Sequence, residues 1–227
     1  MTRSALITGA TGGIGQALAR HLHAAGFPIF ITGRNEKKLL ELRDELRCPG
    51  LALDLSPSEA APRLYGAARE TLGHIDILIN NAGFNKAKIP LSDVTAEDID
   101  ASYALNLRAP MLLAREALRD MGARRSGHIV NIISSVVHFR AENFSVYTTM
   151  KNALHAFNGC LIKEARLVGV KVTGVYPGGV NTAFRAQPRP EYLQPESVAT
   201  LILNCIAAPD DAVVHEITFR PMVENNF

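Results

Sequence analysis

The fold of this chain is decided by the stretch Thr8-Gly9-Ala10-Thr11-Gly12-Gly13-Ile14-Gly15. It follows an apolar run, Ala5–Thr8, and leads into an amphipathic stretch from Ile14 to Ala25, whose apolar residues recur at helical spacing. Glycines at such a junction allow a sharp turn, a close approach of the backbone to a phosphate, and tight packing of helix on strand. The stretch therefore predicts a phosphate-binding loop between the first strand and the first helix.

Six further apolar runs follow, separated by longer helical patterns. They are Ile29–Thr32, Gly50–Leu53, Ile75–Asn80, His128–Ile133, Lys171–Tyr176 and Val213–Phe219. The runs are apolar almost throughout, as in strands that helices cover on both faces. Alternating strands and helices form parallel βαβ units. We therefore predict an α/β fold, a doubly wound, mainly parallel seven-stranded sheet with helices on both faces, built as a single domain over residues 1–227.

Several helix starts are marked by capping residues. Ser56-Pro57-Ser58-Glu59 combines a serine cap, a proline at the first helical position and a glutamate at the third. Thr95-Ala96-Glu97-Asp98 provides a similar cap with acidic residues in the first turn. Long helices are predicted from about Ala96 to Met121 and from about Ser145 to Val168, and Pro195 should begin the last helix.

Composition excludes several functional classes. The chain has 24 basic and 22 acidic residues, a net charge of +2, which gives no reason to expect nucleic acid or a membrane surface as a partner. No apolar run approaches the roughly 18 residues of a membrane-spanning helix, and the first residues lack the layout of a signal peptide. Cys48, Cys160 and Cys205 are irregularly spaced and the histidines are scattered, so neither disulfides nor a metal site is expected. We expect a cytoplasmic protein.

The end of the second strand, Ile31-Thr32-Gly33-Arg34, bears on the choice of dinucleotide. An acidic residue near this position would accept hydrogen bonds from the ribose of NAD, but position 33 is glycine. Arg34 instead offers a planar group suited to a 2′-phosphate. Arg34, Lys37 and Lys38 could also form a solvated helix face, although cations at a helix N-terminus are disfavoured unless an anion is bound there. The pattern favours NADP over NAD.

The helix after the fifth strand carries Tyr147 and Lys151, four residues apart and therefore on one face. A phenol with a pKa of about 10 is a poor acid–base catalyst at neutral pH, and an ammonium one turn away stabilises its phenolate. Lowering the phenol pKa by about two or three requires about 3–4 kcal/mol. Tyr147 could then donate a proton to an alkoxide or accept one from an alcohol. Alone, a Tyr/Lys pair at this spacing is more often an ordinary surface contact.

Together these motifs resemble the short-chain dehydrogenase/reductase family, over nearly the whole chain from Ala5 to Pro221. The family's motifs occur in order as TGxxxGxG at Thr8–Gly15, NNAG at Asn80–Gly83, the helix asparagine Asn106, YxxxK at Tyr147–Lys151 and a proline–glycine turn at Pro177–Thr182. The resemblance implies a Rossmann-like oxidoreductase that acts on a small-molecule carbonyl or alcohol substrate. Together with Arg34, it predicts NADP(H) as the cofactor, with NADPH preferred over NADH.

The resemblance also implies a role for each catalytic residue. A serine would bind the substrate oxygen, Tyr147 would transfer the proton, Lys151 would assist Tyr147 and hold the nicotinamide ribose, and Asn106 would anchor a water that relays protons. Two adjacent serines compete for the first role. Counting from Asn131 and from Tyr147 gives Ser134, whereas the string Ser-Ser-Val-Val favours Ser135. We expect Ser134.

The predicted dinucleotide-binding residues lie in six segments, and all but Arg34 are carried over from the family. They are Gly9, Thr11, Gly13, Ile14, Gly15, Arg34, Asp54, Asn81, Ala82, Gly83, Tyr147, Lys151, Pro177, Gly178, Val180 and Thr182. Asp54 matches an aspartate that contacts adenine, although it could equally be a simple turn residue. The Pro177–Thr182 turn would hold the carboxamide end of the nicotinamide.

The substrate and the assembly are less sharply defined. Apolar walls near the nicotinamide would favour a hydrophobic carbonyl compound, although each candidate could equally be an ordinary core or loop residue. The candidates are Phe84, Val136, His138, Phe139, Phe144, Phe184 and Tyr192. The last strand, His215–Pro221, lacks the glycine-rich end of many family tetramers, so we expect a homodimer through the helices Ala96–Met121 and Ser145–Val168. The alternative to an enzyme is a catalytically silent dinucleotide-binding regulatory or scaffold protein of the same fold.

Overall fold

The computed structural model describes residues 3–86, 88–184 and 187–224. Its sheet has seven strands in the order β3-β2-β1-β4-β5-β6-β7. The strands are β1 (Ala5–Ile7), β2 (Ile29–Gly33), β3 (Gly50–Ala52), β4 (Ile77–Asn80), β5 (His128–Ile132), β6 (Lys171–Pro177) and β7 (Glu216–Phe219). Every neighbouring pair is parallel. The predicted doubly wound α/β sheet is confirmed.

Helices cover both faces of this sheet. They are α1 (Gly13–Ala24), α2 (Glu36–Leu46), α3 (Ala60–Leu72), α4 (Ala96–Tyr103), α5 (Ala109–Arg124), α6 (Ser145–Leu167) and α7 (Pro195–Ile206). Successive strand residues point to opposite faces. Ile7 accordingly packs with α1, α2 and α7, and Leu6 packs with α3, α5 and α6. Within the described ranges, no helix is long and apolar enough to cross a membrane.

Two helix predictions require correction. The helix predicted from Ala96 to Met121 is interrupted by a π-helical turn, Ala104–Arg108, which helical periodicity cannot reveal because it adds only one residue to the turn. The helix expected to begin at Pro57 begins at Ala60 instead. Residues 57–59 form a turn, in which the Ala60 N–H donates to the Pro57 carbonyl at 3.1 Å, and the N-cap residue of α3 is Glu59. Ser56 lies before this turn, where its N–H donates to Asp54 at 3.0 Å and its carbonyl accepts from Arg108.

The strand order fixes where a ligand can bind. β1 lies between β2 and β4, so the chain crosses the sheet in opposite directions on either side of it, and the loops after β1 and β4 meet at the carboxyl edge. These loops are joined by Thr8, whose hydroxyl accepts from the N–H groups of Asn81 and Ala82, each at 3.0 Å. The Asn81 side chain returns a bond to the Thr8 carbonyl at 2.9 Å. A cleft therefore lies at this edge of the sheet, and hydrogen bonds join the loops after β1 and β4 that border it.

Candidate active site

A cavity of about 820 Å³ occupies the carboxyl edge of the sheet. Its lining includes nearly all of the residues singled out in the sequence. They are Gly9, Thr11, Gly13, Ile14, Gly15, Arg34, Asn81, Ala82, Gly83, Ser134, Tyr147, Lys151, Pro177, Gly178, Val180 and Thr182. Residues distant in the sequence are thus brought to one continuous cleft of a size typical for ligand sites.

Asp54 lies outside this lining. Leu53 and Leu55 on either side of it line the cavity, but the Asp54 side chain is exposed. Its carboxylate accepts from the Ser56 N–H at 3.0 Å, the geometry of a side chain that stabilises its own turn. Of its two interpretations, the turn residue is the one for which the structure supplies a contact.

The glycine loop is shaped by close backbone contacts. Gly9 has a φ of +67°, in the region that glycine adopts most readily. A Cβ on Gly15 would lie 2.2 Å from the Gly9 carbonyl oxygen, and one on Gly13 would lie 2.5 Å from Cγ2 of Thr182. These glycines let α1 begin directly against β1 and against the turn after β6.

The first turn of α1 meets the requirements of an anion site. Its N-cap residue, Gly12, provides no side-chain hydrogen bond, and the first turn contains no acidic residue. Its N–H groups have no helical partners of their own, and Gly12, Gly13 and Ile14 line the cavity. Such a helix end favours a bound phosphate or pyrophosphate, so the loop fits the phosphates of a dinucleotide.

Arg34 lies at the end of the cavity formed by β2. Its side chain is exposed and forms no ion pair with a carboxylate of the described residues. The neighbouring Gly33 has a reason to be glycine that the sequence did not reveal, since a Cβ there would lie 2.6 Å from the Thr11 side chain. An acidic side chain at position 33 is thus sterically disfavoured, and the cationic group that lines the cavity beside Gly33 is the Arg34 guanidinium.

The opposite end of the cavity contains Tyr147 and Lys151. Lys151 is buried, and its Nζ donates to the Ile132 carbonyl at 3.0 Å. Burial lowers the pKa of Lys151 to about 8. Its Nζ lies 5.8 Å from the centroid of the Tyr147 ring, and that ring stands between Phe144 and Phe184, with centroids 6.5 and 5.9 Å away. A phenol and an ammonium are therefore held together away from bulk water.

Asn106 lies behind this pair, in the π-helical turn, and is fully buried. Its side chain donates to the Phe84 carbonyl at 3.0 Å and accepts from the Phe84 N–H at 3.1 Å. A Cβ on Gly83 would lie 2.9 Å from Asn106 Oδ1 and 3.7 Å from Lys151 Nζ. Asn106 thus fixes the loop after β4 beside the lysine, although it is not itself a lining residue.

The two candidate serines occupy different environments. Ser134 is half-buried in extended backbone, and its Oγ accepts from the Val136 N–H at 3.2 Å. Ser135 is 3% exposed and begins a short 3₁₀ turn. Both line the cavity, and Ser134 is the more accessible of the two.

Beneath the site runs a chain of buried amides that the sequence analysis did not identify. Asn80 in β4 donates to Asn131 in β5 at 2.9 Å, and Asn131 donates to Asn158 in α6 at 2.8 Å. All three are almost fully buried, where polar groups are costly unless they are hydrogen-bonded. The chain ties α6, which carries Tyr147 and Lys151, to the strands below. An asparagine inside an apolar strand was the available signal.

The predicted apolar walls are largely present. Val136, Phe139, Phe144, Phe184 and Tyr192 line the cavity. Phe84 and His138 do not, since Phe84 packs on the core near Asn106 and the exposed His138 lies against Tyr176, with 5.6 Å between ring centroids. Val223 and Glu224, which the motifs did not indicate, also line the cavity.

Comparisons with known proteins agree with this architecture. Residues 3–193 match the family model described as short chain dehydrogenase. An uncharacterized oxidoreductase of Staphylococcus aureus is 33% identical over 224 residues, which cover 96% of each chain. A metagenomic short-chain oxidoreductase solved in complex with NADP is 30% identical, with a TM-score of 0.87 and 98% of each chain covered.

A second solved structure, the closed form of serine dehydrogenase complexed with NADP+, is 26% identical, with a TM-score of 0.89 and coverage of 97% of this chain and 95% of that one. The matches to these relatives extend over nearly the whole length of both chains. The chain belongs to the short-chain dehydrogenase family.

Proposed function

We propose that this protein is an NADP(H)-dependent oxidoreductase that reduces a ketone or aldehyde to an alcohol, or catalyses the reverse reaction. The observation that carries the proposal is the buried Lys151 ammonium beside Tyr147, in the cavity that also contains the uncapped first turn of α1. The NADP complexes of two similar structures support the choice of cofactor.

The residues present fit an extended dinucleotide. Arg34 would bind the 2′-phosphate, the first turn of α1 the pyrophosphate, Lys151 the nicotinamide ribose, and Val180 with Thr182 the carboxamide. The bound cofactor supplies the hydride. NADPH is preferred because Arg34 offers a cation where NADH would need an acidic partner.

The chain's own groups handle the proton and the substrate oxygen. Tyr147 Oη donates its proton to the oxygen of the developing alkoxide, and Ser134 Oγ holds that oxygen by a hydrogen bond. The Lys151 ammonium stabilises the phenolate left on Tyr147. Because its pKa is near 8, Lys151 is largely protonated at neutral pH and can exchange its proton with water in the cavity. Asn106 holds the loop after β4 beside Lys151, through its bonds to the Phe84 backbone. The reverse reaction moves the same proton in the opposite direction.

The walls of the cavity suggest the substrate class. Val136, Phe139, Phe144, Phe184 and Tyr192 surround the end that contains Tyr147. Apolar and aromatic walls favour binding of a hydrophobic group beside the carbonyl. We propose an apolar ketone or aldehyde as the substrate.

A titration combined with a turnover assay tests the proposal. The pure protein is titrated with NADPH and with NADH, and cofactor oxidation is then followed with acetophenone, benzaldehyde and cyclohexanone. Tighter binding of NADPH together with turnover of a carbonyl is the expected result. Failure to bind either cofactor would refute the proposal, and tight binding without turnover of any carbonyl would favour a regulatory or scaffold role.

A further inference from the structure

The segment 220–224 crosses the carboxyl end of β6 directly after β7. The Gly178 N–H donates to the Phe219 carbonyl at 2.8 Å, which places the start of this segment against the turn that follows β6. The segment then folds back on itself, since the Glu224 N–H donates to the Pro221 carbonyl at 3.1 Å. The segment 220–224 is thereby held against the turn after β6, at the edge of the candidate active site.

This segment forms one wall of the cavity. Val223 and Glu224 line it together with Phe139 and Tyr192, which belong to the end near Tyr147. The wall thus borders the space assigned to the substrate and lies away from Arg34, at the other end of the cavity. Substrate binding should depend on how firmly the wall is held.

An ion pair holds the segment in place. Arg220 Nε lies 3.1 Å from Glu224 Oε2, and the two side chains are only 8% and 10% exposed. The guanidinium carbon of Arg220 also lies 5.1 Å from the centroid of the Phe139 ring. A buried ion pair must offset a large desolvation penalty and needs further hydrogen bonds to do so. Glu224 has one, because its Oε1 accepts from the Gly179 N–H at 3.0 Å.

The turn after β6 is built to receive this carboxylate. A Cβ on Gly178 would lie 2.5 Å from Glu224 Oε2, and a Cβ on Gly179 would lie 2.7 Å from Glu224 Oε1. The Gly179 Cβ would also lie 2.3 Å from the Tyr192 ring. The absence of a side chain at both glycines therefore makes room for the segment 220–224. This reason for glycine at the two positions is separate from any contact with a cofactor.

We infer that Arg220 and Glu224 form a latch that positions the Pro177–Thr182 turn and holds Val223 as a wall of the substrate pocket. Both are positioning residues, because the latch acts through the Gly179 amide and the pocket wall. The inference rests on the proposed function, since it assumes that the carbonyl substrate binds between this wall and Tyr147. It makes Glu224 a determinant of substrate affinity.

The variant Glu224→Ala tests the latch through steady-state kinetics with NADPH and acetophenone. KM for the ketone should rise at least about tenfold, because the variant loses the charge-assisted hydrogen bonds from the Gly179 N–H and from Arg220, while kcat changes less than about threefold. The dissociation constant of NADPH should stay within about twofold, because most of its binding comes from the phosphates. The matched control is Glu191→Ala, which breaks an exposed ion pair with Arg189 and should leave KM unchanged.

Two further variants separate the latch from a general loss of packing. Glu224→Gln keeps a carbonyl oxygen for the Gly179 N–H and should restore most of the substrate affinity lost in Glu224→Ala. Arg220→Met should raise KM in the same direction. Because the two side chains act as one unit, the double variant Arg220→Met/Glu224→Ala should raise KM no further than the worse single variant. If the increase in KM of the double variant equalled the product of the two single increases, the inference of a latch would be overturned.

Hydrogen–deuterium exchange gives a measurement that does not depend on turnover. Exchange of the Gly179 amide should be about tenfold faster in Glu224→Ala than in the parent protein, and unchanged in Glu191→Ala. The inference would be overturned if the Gly179 amide of Glu224→Ala exchanged as slowly as that of the parent protein. It would also be overturned if Glu224→Ala and the control Glu191→Ala had the same KM for the ketone. Absence of turnover by the parent protein with every carbonyl tested would instead refute the proposed function, and the exchange rates would still decide whether Glu224 holds the turn.

Discussion

At the scale of single residues, the Tyr147 hydroxyl carries the proposed proton transfer. In Tyr147→Phe the ring keeps its place between Phe144 and Phe184, and the bond from Lys151 to the Ile132 carbonyl is untouched. Affinity for NADPH should therefore persist, while turnover falls about a hundredfold or more, as the loss of a general acid implies. NADPH fluorescence and carbonyl-dependent NADPH oxidation measure the two quantities.

The matched control removes the same oxygen from an exposed tyrosine. Tyr103→Phe, on α4, should leave both NADPH affinity and turnover unchanged. Retention of full activity in Tyr147→Phe would show that the phenol is not the proton donor.

Arg34 provides the residue-scale prediction for cofactor choice. Arg34→Asp replaces the group proposed to bind the 2′-phosphate with one that repels it. The dissociation constant of NADPH should rise at least about tenfold, and that of NADH should stay the same or fall. Both constants are read from titrations of the variant and the parent protein.

Lys37→Asp makes the same change of charge three residues away, at an exposed position of α2. It should weaken NADPH binding much less, because a general electrostatic field falls off gradually whereas a paired guanidinium acts at contact. Equal losses in the two variants would contradict a direct contact from Arg34.

At the scale of secondary structure elements, the sequence predicted strands and the glycine loop well and irregular helices poorly. Apolar runs and glycine spacing are local signals, and they placed β1, α1 and the loop between them correctly. The π-helical turn around Asn106 gives no such signal, because one extra residue in a turn leaves the apolar pattern almost unchanged. Ahead of α3 the chain forms a turn between Pro57 and Ala60, and the Ser56 carbonyl beside that turn accepts from Arg108, a contact that only the folded chain brings about.

β5 contains a histidine that makes stability depend on pH. His128 is 2% exposed, with Nε2 2.7 Å from Thr173 Oγ1. Burial, reinforced by the positive charges of Lys171 and Arg3, lowers the pKa of His128 to about 3. The folded state therefore favours neutral His128, whereas an unfolded chain protonates it below pH 6.5.

The contribution of His128 to the free energy of unfolding is fully present above its pKa in the unfolded chain. That contribution is lost as the pH falls through this value toward the pKa of His128 in the folded protein. The slope is about 1.4 kcal/mol per pH unit, so lowering the pH from about 7 to about 5 should cost about 2 kcal/mol. Urea unfolding at the two pH values measures the loss. His128→Gln keeps a donor for Thr173 but does not titrate, so its loss should be smaller by about that amount. Equal losses in the variant and the parent protein would contradict the prediction.

At the scale of the whole molecule, the topology could be predicted from the sequence, but the contacts between segments that are distant in the sequence could not. The sequence order of strands and helices sufficed for a doubly wound sheet, because handedness and parallel pairing leave few topologies. It did not show that Glu224 bonds to Gly179, 45 residues away, or that Asn131 meets Asn158 on α6. Such contacts depend on how the helices and strands pack against one another, and a single sequence motif does not indicate that packing.

The assembly is the remaining whole-molecule prediction, and its basis is the outer surface of α4 and α5. Ile99, Tyr103 and Met111 on these two helices are 41%, 42% and 38% exposed, and exposed large apolar side chains are found at interaction surfaces. A second copy of this chain is the proposed occupant, since a two-fold axis lets the same helices pack on themselves. Sedimentation velocity should give twice the 24.6 kDa of one chain.

Paired substitutions distinguish this surface from general exposure of apolar residues. Ile99→Glu places a charge in the proposed interface and should shift the protein toward monomer, because an unpaired charge buried between subunits is strongly unfavourable. Leu40→Glu makes the same change on α2 at a comparable exposure of 45%, and it should leave the dimer intact. A parent protein that sediments as a monomer, or a dimer that Ile99→Glu fails to weaken, would show that this face of α4 and α5 does not form the contact.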